Sequence, residues 1–164
     1  MPLPILDLTP TSFAPYGSII EQPARPNDAG GPGWQWWGEL VKMEGGDRPY
    51  AIGFLDLKPD SPRFDWAERH LHTDELIVPL TGDCLLYVAP AEYLSEPGRL
   101  PELDHFQVFR VRQGQAVLMK KGVWHGAPLA GDGPAKVLVI LQYNSGKQDL
   151  HLVRFEDTPV EIAK

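Results

Sequence analysis

Proline and glycine interrupt this chain at short intervals, and this feature limits most strongly what the chain can fold into. The sequence contains 17 prolines and 16 glycines among 164 residues, about 20% of the chain, against roughly 12% in an average protein. They are spread along the chain and separate short apolar runs, which leaves no room for a long amphipathic helix. Short runs bounded by turn residues are typical of an all-β barrel or sandwich.

Seven apolar runs are the candidate strands. They are rich in residues with high β propensity and are bounded by Gly, Pro, Asn or Asp. The runs cover residues 51–57, 75–80, 83–88, 105–111, 115–119, 135–143 and 150–155. Short helices are expected near residues 11–16, where Thr9 can cap the first turn, and near residues 91–94. We therefore predict a single all-β domain over residues 1–164 with one or two short helices.

Two long segments between these runs are predicted to be loops. Residues 22–33 are rich in Pro, Gly and Asn, and residues 94–103 contain two prolines and a glycine. Loops of this length in a compact domain are usually functional or poorly ordered. The first leads into the aromatic cluster Trp34-Gln35-Trp36-Trp37. These rings can pack at the edge of the core, contact a second subunit or form the wall of a ligand site.

Charge and cysteine content argue against several classes of protein. Asp and Glu outnumber Lys and Arg by 22 to 15, a formal net charge of −7, which disfavours nucleic acids and anionic membranes as partners. The single cysteine, Cys84, excludes an intrachain disulfide framework and a cysteine-based zinc cluster. No apolar run reaches the ~18 residues of a membrane span, and the N-terminus has no signal-peptide pattern. We expect a soluble, cytoplasmic protein.

The placement of histidine is the main indication of chemistry. His70 and His72 are two residues apart, a spacing that directs both imidazoles to one face of an extended strand. A carboxylate follows, but two candidates compete for the same face. Strict alternation favours Asp74, whereas counting back from Gly82 favours Glu75, and a β-bulge would reconcile the two. We favour Glu75.

A second histidine-bearing segment follows further along the chain. Gly114 precedes Lys120-Lys121-Gly122-Val123-Trp124-His125, and two strand pairs that turn at glycine can direct their histidines into one barrel interior. Imidazoles with one carboxylate suit Zn, Fe, Ni, Cu or Mn. The alternative is a metal-free site in which the histidines bind a ligand or each other. His105 and His151 fit neither segment and are expected at the surface or in ordinary packing.

These two segments resemble the two sequence motifs of the cupin superfamily. His70-x-His72-x2-Glu75-x6-Gly82 resembles the first motif, and Gly114-x5-Lys120-x-Gly122-x2-His125 resembles the second. The gap from His72 to Glu75 is one residue shorter than usual, and Lys120 stands where proline is common. The resemblance implies a double-stranded β-barrel (jelly roll). It also implies one divalent metal ion (Ni, Mn, Zn or Fe) held by His70, His72, Glu75 and His125.

The rest of the chain resembles the ureidoglycolate lyase family of cupins. The similar segments are Phe13-Ala14-Pro15-Tyr16-Gly17-Ser18-Ile19-Ile20, Glu68-Arg69-His70, Pro79 with Gly82, and Val123-Trp124-His125 before Pro128-Leu129. The resemblance implies a homodimeric enzyme that releases urea from ureidoglycolate and leaves glyoxylate, in purine-nitrogen recovery. Family members tend to have an Asn-x-Gly element followed by a basic residue, whereas Asn27 here leads to Trp34 and Trp36.

The lyase interpretation assigns roles to further residues. His70, His125 and Lys120 are the candidate catalytic residues. Arg69 or Lys120 can orient the carboxylate of the substrate, although a surface salt bridge is an equal explanation for Arg69. The candidate substrate-binding residues are Arg69, Asn27, Trp36 and Trp124.

Two other functions remain open. One is a metal-dependent cupin oxygenase or isomerase that acts on a small organic or sugar acid. The other is a cupin that binds a small molecule without turnover. The fold resemblance implies a homodimer. Exposed edge strands need covering, and the apolar start Leu3-Pro4-Ile5-Leu6 can add to the sheet of a neighbour.

Overall fold

The computed structural model describes residues 1–155 and 159–163. Within them, two short α-helices and one 3-10 helix accompany sixteen short strands. The helices are α1 (Pro10–Phe13), α2 (Ser145–Gln148) and the 3-10 helix Leu103–His105. The strands are β1 (Ile5–Asp7), β2 (Gly17–Ile20), β3 (Ala29–Gly31), β4 (Trp34–Trp36), β5 (Tyr50–Leu57), β6 (Arg63–Phe64), β7 (Trp66–Arg69), β8 (Glu75–Thr81), β9 (Cys84–Ala89), β10 (Gln107–Val111), β11 (Ala116–Met119), β12 (Trp124–His125), β13 (Leu129–Ala130), β14 (Ala135–Gln142), β15 (His151–Arg154) and β16 (Val160–Glu161). In this part of the chain, every helix is too short or too polar to cross a membrane.

Two sheets pack face to face and enclose the main core. A seven-stranded sheet has the order β1-β10-β9-β12-β7-β15, with β13 added to β9, and a five-stranded sheet has the order β2-β11-β8-β14-β5. The inner faces meet in a cluster of buried side chains, which includes Leu86, Val88, Phe109, Ile77, Val117 and Val137. Such interdigitation of two inner faces is how β-sandwiches bury apolar surface. The predicted all-β, cupin-like jelly roll is confirmed.

A second apolar layer lies on the outer face of the seven-stranded sheet. It contains Tyr87, Ala89 and Val108 from that sheet, which pack with Phe64 and Ile162. Phe64 and Tyr87 stack with ring centroids 3.9 Å apart. This sheet therefore has both faces covered by its own chain, and alternate residues of its strands point into two different cores.

The seven apolar runs predicted as strands correspond to β5, β8, β9, β10, β11, β14 and β15, with shifts of one or two residues at their ends. The first predicted helix is also present as α1. Thr9 caps it, because its hydroxyl accepts a hydrogen bond from the amide of Ser12, and the Ser12 hydroxyl accepts one from the amide of Thr9. Such a reciprocal pair satisfies two amides that the first turn leaves unpaired.

Residues 91–94 do not form the second predicted helix. Proline at positions 90 and 97 limits the segment, and its carbonyls turn toward one buried cation instead of along a helix axis. The guanidinium of Arg69 donates hydrogen bonds to four of these carbonyls, those of Glu92, Tyr93, Glu96 and Pro97. The helix α2 lies instead between the predicted strands 135–143 and 150–155, where no helix was predicted.

One further segment differs from prediction. The end of the predicted loop 22–33 contains β3, which pairs with β4 in an antiparallel hairpin. The apolar N-terminal segment contains β1, which pairs in parallel with β10 of the same chain at the edge of the seven-stranded sheet. In this pairing Leu6 lies opposite Phe109 and packs against the main core.

Candidate functional site

Four side chains converge between the two sheets and are called the inner cluster here: Glu68, His70, Glu75 and His125. One carboxylate oxygen of Glu75, Oε2, lies 3.3 Å from His70 Nε2 and 3.2 Å from His125 Nε2. Donor atoms of Glu68, His70 and His125 all lie within 4.8 Å of one another. His70, Glu75 and His125 are buried, and Glu68 is half-buried.

The strand ends explain how these residues meet. Glu68 lies in β7 directly opposite His125 in β12, and His70 follows the last residue of β7. Glu75 begins β8 and shares the inner face with Ile77, two residues further on. Asp74 points elsewhere, because its carboxylate accepts hydrogen bonds from the amides of Glu44 and Lys121. Of the two carboxylates considered from the sequence, Glu75 is therefore the one that faces the cluster.

Both histidines of the cluster are oriented by the main chain. His70 Nδ1 lies 2.8 Å from the carbonyl oxygen of Asp149, and His125 Nδ1 lies 3.0 Å from that of Val123. A carbonyl only accepts hydrogen bonds, so each Nδ1 carries a proton and donates it. This leaves Nε2 of each ring directed at Glu75. Histidines that bind metals are typically held in this way through the other ring nitrogen.

Burial and charge act in opposite directions on the cluster. Burial alone raises the pKa of Glu75, but the charges and hydrogen bonds of His125 and His70 outweigh it and lower the pKa to about 2. Burial alone lowers the pKa of His125, but Glu75 and Glu68 raise it to about 9. The pKa of Glu68 is raised, chiefly by burial and also by the charge of Glu75. Glu75 is therefore ionised at neutral pH, and a proton on His125 balances it.

The donor set of the inner cluster fits a divalent metal ion. Two imidazole nitrogens and two carboxylates are the ligand types that Zn, Fe, Ni and Mn accept in proteins. A buried carboxylate needs a positive partner, and a cation can take the place of the proton on His125. Glu68, His70 and His125 are close enough to share one ion, and Glu75 contacts both histidines.

His72 lies apart from these residues, although the motif placed it among the ligands. Strand β7 ends at Arg69, so the alternation that would align His72 with His70 does not continue. The His72 side chain is 71% exposed, and its Nδ1 lies 2.8 Å from Asp149 Oδ1. His151 Nε2 is 3.8 Å from the same oxygen. We call His72, Asp149 and His151 the outer cluster.

Arg69 and Trp124 face the opposite side of the seven-stranded sheet. They alternate with Glu68 and His125 along β7 and β12 and are fully buried. The guanidinium of Arg69 lies 4.4 Å from the centre of the Trp124 ring, and its N–H groups donate to four carbonyls of residues 92–97. Arg69 is thus neither a surface ion pair nor directed at the inner cluster, and it secures that loop.

The remaining predicted site residues also make contacts elsewhere. Lys120 Nζ donates to the carbonyl of Ala14 at 3.1 Å. The amide of Asn27 donates to the carbonyl of Ala29 at 2.6 Å. Trp36 is exposed in β4 and lies over the outer face of the five-stranded sheet. Of the predicted set, the structure thus brings together His70, Glu75 and His125.

Glu68 was not among the predicted site residues. The spacing in the sequence could have indicated Glu68, since Glu68 and His70 are two residues apart at the end of one strand and share its inner face. The prediction extended this alternation in the other direction, to His72. Only the position at which β7 ends distinguishes the two choices.

Comparison with known proteins agrees with the family resemblance. The model of the ureidoglycolate lyase family matches residues 1–163. Ureidoglycolate lyase 2 of Rhizobium meliloti (strain 1021) is 30% identical over 156 residues, covering 89% of each chain. The ureidoglycolate lyase of Rhizobium etli (strain CIAT 652) is 29% identical over 166 residues, covering 98% of this chain and 95% of that protein.

Solved structures of similar fold include QdtA, a sugar 3,4-ketoisomerase from Thermoanaerobacterium thermosaccharolyticum in complex with TDP. It is 12% identical, with a TM-score of 0.48 over 85% of this chain and 88% of that one. The match to the family model, in contrast, extends over residues 1–163. This protein therefore belongs to the ureidoglycolate lyase family.

Proposed function

We propose that this chain releases urea from ureidoglycolate and leaves glyoxylate, at a divalent metal ion held by the inner cluster. The observation that supports the proposal is the convergence of two imidazole Nε2 atoms on the buried carboxylate of Glu75, with Glu68 beside them, in a chain of this family. The choice of ureidoglycolate as substrate rests on the similar proteins, which are named ureidoglycolate lyases.

The reaction needs a proton to move from one part of the substrate to another. One carbon of ureidoglycolate carries a hydroxyl, a carboxylate and a ureido nitrogen. When the hydroxyl loses its proton, its electron pair forms the carbonyl of glyoxylate, and the carbon–nitrogen bond breaks. The electron pair of that bond stays on nitrogen, which takes up a proton to become urea. One group that accepts and returns a proton is sufficient.

Two roles divide the inner cluster. The buried members His70, Glu75 and His125 would hold the ion, since the low pKa of Glu75 keeps it ionised. A bound ion would supply positive charge that acidifies the hydroxyl and attracts the carboxylate. Glu68 is half-buried, so a substrate can reach it, and burial raises its pKa, which makes its carboxylate a stronger proton acceptor than an ordinary glutamate. We assign the proton transfer to Glu68.

The test combines metal analysis with a product assay. Purified wild-type protein should contain a divalent metal and release urea and glyoxylate in equal amounts. Glu68→Gln should retain the metal but lose roughly 10²–10⁴-fold in turnover, the range of a general acid–base group. Glu102→Gln is the matched control, because Glu102 is exposed, and it should behave as wild type.

Two outcomes would contradict the proposal. Metal-loaded wild-type protein that produces no urea would exclude the reaction, and full activity of Glu68→Gln would exclude the role of Glu68. Oxygen consumption with a redox-active metal would instead favour a cupin oxygenase.

A further inference from the structure

Strand β15 forms the edge of the seven-stranded sheet beside β7 and adds two side chains to the face that carries the inner cluster. Val153 and Phe155 pack against the apolar layer on the outer face of this sheet. Because successive side chains along a strand point to opposite faces, Leu152 and Arg154 point to the same side as Glu68. Both side chains are exposed. They therefore line the open edge of the space that contains the inner cluster.

The register of strand pairing places Arg154 within reach of Glu68. Leu152 lies directly opposite Glu68, which in turn lies opposite His125 of β12. Arg154 lies opposite Trp66, two residues before Glu68 in β7. Arg154 is therefore the diagonal neighbour of Glu68, at a separation of roughly 7–8 Å that a long side chain can span. The guanidinium and the inner cluster thus border the same space between the sheets.

An anionic substrate meets an unfavourable charge at this site. Ureidoglycolate carries a carboxylate, the inner cluster contributes Glu68 and Glu75, and the whole chain has a formal net charge of −7. A positive group beside the cluster offsets this repulsion. Arg69 and Lys120 do not face the cluster, because both donate hydrogen bonds to main-chain carbonyls elsewhere. Arg154 is a cation that β15 does place on the inner face.

We propose that Arg154 binds the carboxylate of the substrate and thereby selects carboxylates over neutral molecules of the same shape. This inference rests on the proposed function of the inner cluster. The planar guanidinium can donate two parallel N–H groups to the two oxygens of a carboxylate, which fixes the orientation of the bound group as well as its position. The adjacent carbon, which carries the hydroxyl, then lies on the side of Glu68, the residue that takes up the hydroxyl proton.

A binding measurement tests this role apart from the reaction. Oxalurate has the skeleton of ureidoglycolate with a carbonyl in place of the hydroxyl-bearing carbon, and oxaluramide carries a neutral amide in place of its carboxylate. In isothermal titration of the full chain with Zn²⁺ present, Arg154→Gln should weaken the binding of oxalurate roughly 10–100-fold, the range for hydrogen bonds to a charged group. Oxaluramide should bind equally to both proteins or measurably to neither. Arg154→Lys, which keeps the charge but not the paired N–H groups, should lie between them.

Arg112→Gln is the matched control, because it removes the same charge in the turn after β10, three strands away from β7. The Arg112 side chain is 56% exposed and lies 3.6 Å from Asp7, so this variant should bind oxalurate as the wild type does. In the urea assay, Arg154→Gln should raise KM by a similar factor to the loss of oxalurate affinity, with a smaller change in kcat. The exposed position of Arg154 predicts an unchanged circular dichroism spectrum and metal content.

Equal affinity of the wild type and Arg154→Gln for oxalurate would overturn the proposal, as would a wild-type protein that does not bind oxalurate. An equal loss of affinity for oxalurate and oxaluramide would also overturn it, because the substitution would then disturb the whole site. A wild-type protein that releases no urea, but whose oxalurate binding depends on Arg154, would contradict the proposed reaction and support the assignment of Arg154.

Discussion

Two clusters of histidine and carboxylate lie next to each other in this protein and differ in what they can do. The inner cluster and the outer cluster each contain two histidines and at least one carboxylate. The side chains of His70 and His125 in the inner cluster are 5% and 4% exposed, whereas that of His72 in the outer cluster is 71% exposed. The two clusters therefore have similar residue types but differ in how far their histidines are exposed to solvent.

Ring orientation is the second difference. In the inner cluster, main-chain carbonyls engage Nδ1 of His70 and His125, and both Nε2 atoms converge on Glu75. In the outer cluster, the Nδ1 of His72 forms a hydrogen bond with the carboxylate of Asp149. Only in the inner cluster do the second ring nitrogens of two histidines converge on one point, as binding of a single ion requires. Asp149 connects the clusters, since its carbonyl holds His70 and its carboxylate holds His72.

The largest effect should come from removing the carboxylate that both inner histidines share. Glu75→Gln replaces an ionised ligand with a neutral amide of the same shape. We expect metal affinity and urea release to fall more than 100-fold, beyond the 10–100-fold typical for groups that only support a ligand. Isothermal titration with Zn²⁺ and the urea assay measure both quantities. A loss below threefold would show that the inner cluster is not the metal site.

A smaller effect is expected at the residue that links the clusters. Asp149→Ala removes the acceptor for the amides of Leu71 and His72 and loosens the carbonyl that orients His70. Metal affinity should fall roughly 10–100-fold, with less loss in Asp149→Asn, which keeps one acceptor oxygen. The ¹⁵N shifts of the His70 ring report its tautomer directly. An unchanged tautomer and unchanged affinity would separate the two clusters functionally.

In metal-free protein, the two oppositely shifted groups of the inner cluster, Glu75 and His125, should contribute strongly to the pH dependence of stability. The pKa of Glu75 is about 2 instead of 4.5, so its contribution is present above pH 4.5 and is lost as pH falls toward 2. The pKa of His125 is about 9 instead of 6.5, so its contribution is present below pH 6.5 and is lost as pH rises through 9. The free energy of unfolding should therefore be highest between about pH 4.5 and 6.5.

Urea denaturation of the metal-free protein at several pH values measures this profile. Glu75→Gln removes the partner of His125 and should flatten both limbs. If the variant keeps the wild-type profile, other groups determine the pH dependence, and the difference in burial between the clusters has no energetic consequence.

The smallest effect is expected for substitution of His72. The cupin motif implies that this residue is a metal ligand, whereas the structure places it outside the inner cluster. The side chain is largely exposed and lies outside the inner cluster, so His72→Ala should change metal affinity and activity by no more than about twofold, the usual range for a surface substitution. The same titration and product assay apply. A loss as large as that of Glu75→Gln would mean that His72 is a ligand after all, as the cupin motif implies.

Several features were accessible from the sequence because their causes are local. Alternating apolar runs and turn residues predict most of the long strands, since β propensity and turn conformation depend on neighbouring residues. The cap of α1 at Thr9 is local as well. His70, Glu75 and His125 were selected from their spacing, and the structure brings those three together.

Other features depend on contacts between distant parts of the chain. Arg69 was assigned to the substrate or the surface, because no local pattern reveals that four carbonyls from residues 92–97 surround it. The sequence pattern placed His72 in the inner cluster, whereas the structure has Glu68 there, because β7 ends at Arg69. The position of this strand end depends on pairing with β12 and β15.

The amino-acid sequence by itself determined that the chain builds an all-β fold and carries the histidines and carboxylates for one site. Tertiary structure decided which of them meet. The carbonyl that orients His70 comes from a residue 79 positions away, and ring direction follows from such hydrogen bonds. Burial also decided the charge state, because a carboxylate removed from water is stabilised only by the partners that the fold places beside it.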